Sequence, residues 1–133
     1  MPTTRKKRRR KPTAKSKIRK LRRWIFRNDT WLFEIALVVS DDKEAAAKHI
    51  SKIIQNEAEI DPAKIGMTWT VGGGLSVIWL PERAGAGIVS HEAFHATRYI
   101  LECKGLGELS DETEEAYAYL LDWIVRQIGR RIW

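Results

Sequence analysis

An α+β fold is predicted by three patterns in the chain. Residues 31–40 form a β-branched and aromatic run, two alternating apolar runs flank Gly72-Gly73-Gly74, and two long segments after residue 86 carry apolar residues at helical spacing. A chain of 133 residues and 15.3 kDa suits one domain with a modest core.

Charge is divided unevenly along the chain. Residues 1–27 hold fourteen Lys/Arg and no acid, whereas residues 28–133 hold ten against seventeen Asp/Glu, charges of +14 and −7 that make up the net +7. This predicts a basic N-terminal arm, residues 1–27, ahead of an acidic folded domain, residues 28–133. The first twelve residues have almost nothing to bury and read as disordered. Over 13–27, Ile18, Leu21, Trp24 and Ile25 make a narrow apolar stripe that predicts a basic helix, with a strand from Trp24 as the alternative. Residues 5–27 suit a phosphate backbone first and an anionic membrane surface second. No base-reading motif accompanies them, so nucleic-acid binding there is expected to be non-specific and salt-sensitive. The plainer reading is a solubilising arm with no ligand.

The elements follow in order. Residues 31–40 (WLFEIALVVS) read as a strand buried on much of both faces. Asp41 or Asp42 then caps a helix running to about Glu57, with Ala46, Ile50, Ile53 and Ile54 inward and His49 at its surface or core edge. Met67-Thr68-Trp69-Thr70-Val71 and residues 75–80 read as a β-hairpin about the glycines. Those glycines do not form a phosphate loop, because no Gly-Lys-Ser/Thr follows them. Residues 87–104 read as one helix whose apolar stripe is Val89, Ala93, Ala96, Ile100 and Cys103. A last helix starts near Ser110, with Ala116, Leu120, Ile124 and Ile128 inward.

The chemistry lies on the first of these two helices, in Ser90-His91-Glu92-Ala93-Phe94-His95. Residues four apart share a helix face, so His91 and His95 can reach one ion, and Glu92 falls where it can take a proton from water at the open position. The HExxH pattern therefore points to zinc. Its alternative is a helix with two surface histidines and an exposed glutamate. A catalytic zinc needs a third protein ligand, and Glu112, Glu114 and Glu115 at the start of the last helix are the candidates; for two of the three the role must be N-terminal helix charge. Glu115, Tyr119 and Asp122 share another line of that helix, which makes Tyr119 a candidate donor to a developing oxyanion, with packing as its alternative.

HEAFH followed at this spacing by Glu115-Ala116 resembles the gluzincin metallopeptidases. The segment Glu115-Ala116-Tyr117-Ala118-Tyr119-Leu120-Leu121 is similar to the corresponding helix of ImmA/IrrE-like peptidases, and residues 66–125 resemble small phage-encoded zinc metallopeptidases. The resemblance implies a minimal zincin-like fold, with a short mixed sheet packed on helices. It also implies Zn2+ on His91, His95 and Glu115, Glu92 as general base, and hydrolysis of a peptide or protein substrate laid along residues 75–80 as the sheet edge. One position departs from the thermolysin-like pattern: Tyr119 stands where an Asp orients a zinc histidine, leaving that task to Asp111, Asp122 or a backbone carbonyl. A rival from another class is a nucleic-acid-associated phage accessory or structural protein with a non-catalytic zinc site.

No segment approaches the apolar length of a membrane span, and none reads as a secretory signal, so a cytoplasmic protein is expected. The single cysteine, Cys103, permits no internal disulfide and is expected to pack.

Overall fold

The computed structural model describes residues 21–133. Four strands and three helices follow in the order β1 (Arg22–Asn28), β2 (Phe33–Val39), α1 (Lys43–Ile54), β3 (Met67–Val71), β4 (Leu75–Leu80), α2 (Ala86–Cys103) and α3 (Glu114–Ile132). The class is α+β, as expected, with one mixed sheet ordered β1-β2-β4-β3. β1 runs antiparallel to β2, β2 parallel to β4, and β3 antiparallel to β4.

β2 and β4 lie in the middle, covered on both faces, which is why their sequences are nearly unbroken apolar runs. Alternate residues separate the two cores. Ile35, Leu37, Ile78 and Leu80 pack with Val89, Ala93, Ala96, Ile100, Leu120, Ile124 and Ile128 of α2 and α3. Ala36, Val38, Val77 and Trp79 pack with Ala46 and Ile50 of α1. The adjacent aspartates before α1 divide two tasks. Asp42 caps the helix by accepting from the Ala45 N–H at 3.0 Å, and Asp41 accepts from the Glu82 N–H at 2.9 Å, tying the end of β2 to the end of β4.

Three expectations are corrected here. The basic helix over 13–27 is, from Arg22 onward, the strand β1; residues 1–20 lie outside the described residues. Residues 22–27, assigned by charge to the arm, are thus an edge of the sheet. Residues 75–80 are not a sheet edge, because β4 is paired on both sides; the edge is β3. Cys103 is exposed at the last residue of α2 and does not continue the packed stripe. Among the described residues no helix is long and apolar enough to cross a membrane.

Candidate metal centre

α2 lies over the β3–β4 side of the sheet with Val89, Ala93, Ala96 and Ile100 buried, so its opposite face is left at the surface. That face carries His91 and His95. Their Nε2 atoms are 3.2 Å apart, with ring centroids 4.8 Å apart and planes at 78°. Two nitrogens each about 2.0–2.1 Å from one tetrahedral ion stand roughly 3.3–3.4 Å apart, so the pair fits two of the four positions of a zinc shell. A tautomer-dependent hydrogen bond would also account for the distance.

His91 and His95 line a cleft of about 420 Å³ together with Glu92, and the opposite wall is β3 with the loop before it, including Gly66, Thr68 and Thr70. Glu92 is only 6% exposed. Its carboxylate Oε2 accepts from the Thr68 hydroxyl at 2.6 Å, and its own carbonyl lies 3.2 Å from the same hydroxyl. Gly66 is a close approach: a Cβ there would lie 3.0 Å from Glu92 Cγ and 3.2 Å from Glu92 Oε1. Further along α2, the Tyr99 hydroxyl donates to the Val71 carbonyl at 2.6 Å. Burial, and then the Cys103 side chain, push the Tyr99 pKa up, which keeps the phenol a neutral donor. Arg98, on the cleft wall, pairs with Glu102 at 2.9 Å, and that hydrogen bond raises its pKa.

The structure therefore brings His91, Glu92 and His95 to one cleft. Glu115 and Tyr119 are not among the residues lining it. Glu115 is exposed in the first turn of α3, and Tyr119 is 72% exposed. Among the described residues no group of three or more His, Cys, Asp or Glu is gathered as a metal shell. The imidazole pair fits the ion; a third carboxylate ligand does not stand beside it. α3 is held by its own contacts, since the Thr113 hydroxyl binds the Ser110 N–H and the Glu108 carbonyl and the Tyr117 hydroxyl donates to the Gly107 carbonyl at 3.0 Å.

Sequence reasoning overlooked Gly66, Thr68 and Tyr99. The signal for Thr68 lay in the alternation of β3: Met67, Trp69 and Val71 turn to the α1 core, so Thr68 and Thr70 turn to the histidine-bearing helix. Comparison of the chain with family models, with curated proteins and with solved structures finds no match in any of the three.

Proposed function

We propose that the protein is a zinc-dependent peptidase of minimal zincin type, with His91 and His95 holding the metal and Glu92 moving the proton. The observation that carries this reading is the 3.2 Å approach of the two Nε2 atoms in the cleft that also contains the Glu92 carboxylate. The resemblance names Glu115 as the third ligand; it stands in the first turn of α3, outside the residues that line the cleft, beside Glu114 and shortly after Glu112. When bound, zinc supplies Lewis acidity toward a scissile carbonyl and lowers the pKa of its water. Glu92 accepts the proton from the attacking water and returns it to the leaving amine. The free edge of β3 flanks the cleft and offers main-chain groups to an extended peptide, which favours a peptide or protein substrate.

Metal content measured by elemental analysis on protein without a His tag tests the reading. About one zinc per chain is expected, lost in His95→Ala; loss in Glu115→Ala as well would make Glu115 the third ligand, and retention there would leave the site to the histidine pair. A wild-type protein that takes up no zinc on reconstitution refutes it.

A second reading concerns the basic segment, and one observation favours it. Burial first, then Arg23 and Lys52, lower the pKa of His49, so Arg23 of β1 and Lys52 of α1 put positive charge near one another on the domain. The strand over Arg22–Asn28 sends Trp24 and Ile25 to opposite faces, so those two residues do not share one apolar face for a membrane surface. A phosphate backbone is therefore the better partner. Deleting residues 1–20, which leaves β1 intact, is expected to abolish salt-sensitive binding to duplex DNA and to spare zinc. Unchanged DNA affinity in the deletion would rule this partner out.

A further inference from the structure

We propose that Thr68, on the edge strand β3, is the positioning residue for Glu92; this rests on the reading of Glu92 as the proton-transfer group. The Glu92 side chain is buried at the margin of the packed face of α2, next to the exposed histidines, and the polar contact on its carboxylate is the Thr68 hydroxyl at 2.6 Å. A threonine has few χ1 choices, and this one stands on a strand rather than a loop, so the hydroxyl is held in place by the sheet. The same oxygen lies 3.2 Å from the Glu92 carbonyl, so one hydroxyl touches both ends of the residue and sets the carboxylate relative to its own backbone.

The two distances separate positioning from simple tethering. A hydroxyl that only pinned α2 to the sheet would bond best to the helix carbonyl. Here the carboxylate contact is the shorter by 0.6 Å, as expected for donation to a charged acceptor. Gly66 completes the seat, because any side chain there would press on Glu92 Cγ and Oε1 from the other side.

Thr68→Val removes the hydroxyl at nearly constant shape, and Thr68→Ser keeps it. With zinc-loaded full-length protein and fluorescein-labelled casein as the probe, Thr68→Val is expected to lower kcat by about 10–100-fold, the usual range for a residue supporting a ligand or base, at unchanged KM. Thr68→Ser should restore most of the rate. Crystal structures of both variants provide the readout that needs no turnover: the Glu92 carboxylate moves in Thr68→Val and stays in Thr68→Ser. Full kcat in Thr68→Val, or an unmoved Glu92 in its structure, overturns the proposal. A wild type that binds zinc yet cleaves nothing sinks the peptidase reading instead, and the position of Glu92 in Thr68→Val then decides the role of Thr68 alone.

Discussion

Replacing Gly66 with alanine sets two opposite effects against each other, and the packing around Glu92 decides the sign. Gly66 is not among the glycines at positive φ, so alanine meets no backbone strain there; by restricting the unfolded chain it would ordinarily stabilise by about 0.4–1 kcal/mol. Against this, the added methyl would lie 3.0 Å from Glu92 Cγ, 3.0 Å from Ile88 Cγ2 and 3.2 Å from Glu92 Oε1. Carbon contacts are comfortable at about 3.5–4.0 Å, so two side chains of α2 must each give way by roughly half an ångström. Forcing a methyl into a filled site costs about 1–3 kcal/mol, which leaves a net loss of about 0.5–2 kcal/mol and a Tm lower by roughly 2–8 °C. Gly87 serves as the control. It is the second residue of α2 with nothing within 4 Å of an added Cβ, so Gly87→Ala should raise stability, by at most about 0.5–1 kcal/mol. Calorimetry on the two variants reads both signs, and under the proposed function peptide cleavage should fall in Gly66→Ala alone. A Gly66→Ala protein as stable as Gly87→Ala refutes the close seat for Glu92.

Three further predictions concern the same elements. Glu92→Gln keeps the volume and an acceptor for Thr68, so it should retain zinc while losing turnover by about 10²–10⁴-fold in a peptide-cleavage assay; undiminished cleavage would remove Glu92 from the chemistry. Tyr99→Phe deletes the 2.6 Å bond to the Val71 carbonyl and should cost about 0.5–1.5 kcal/mol in urea unfolding, with an unshifted midpoint as the contrary result. His49 has its folded pKa lowered by burial and by Arg23 and Lys52, so the unfolded chain binds the proton first. Its contribution is therefore present above about pH 6.5 and lost as pH falls below that value, and the Tm of His49→Gln should decline less than that of wild type on acidification. Parallel Tm profiles would show that His49 does not couple to folding.

What was legible in the sequence follows from how local each signal is. β2 could be read because burial on both faces removes the polar alternation, and α1 because Asp42 caps a helix whose Ala46 and Ile50 recur at helical spacing. β1 was misread because Leu21, Trp24 and Ile25 fall at helical intervals, although Trp24 and Phe26 pack inward on the strand while Ile25 points out and is 70% exposed. Strand order is a tertiary matter, so nothing local distinguished β4 as interior and β3 as edge. Cys103 extended a periodic stripe past the point where α2 leaves the core. The histidine pair was legible because i and i+4 positions meet on any helix. The position of the α3 carboxylates was not, since it depends on how that helix docks, and Glu115 is not among the residues that line the cleft.

The two edges of the sheet are chemically unlike, and the difference bears on what the cleft accepts. β1 carries Arg22, Arg23 and Arg27; Arg22 is paired with the buried Glu82 at 2.6 Å, and Arg27 with Glu34 on the neighbouring strand. Charges along an edge, with side chains committed across it, discourage another strand from pairing there. β3 has no charged residue in Met67–Val71, and its outer edge, with which no other strand of the described residues pairs, runs beside His91, Glu92 and His95. A chain pairing with β3 would be held by main-chain hydrogen bonds, which are indifferent to its sequence, and every second side chain would turn toward the histidine-bearing wall. Selectivity would then fall to the few groups that face those side chains, among them Lys64 and the Arg98–Glu102 pair. Among the described residues, an uncharged sheet edge beside the histidines is consistent with the extended peptide of the proposed function. The hydroxyl that meets the Glu92 carboxylate belongs to that same strand, so under the proposed function the base and a bound peptide would be set by one element.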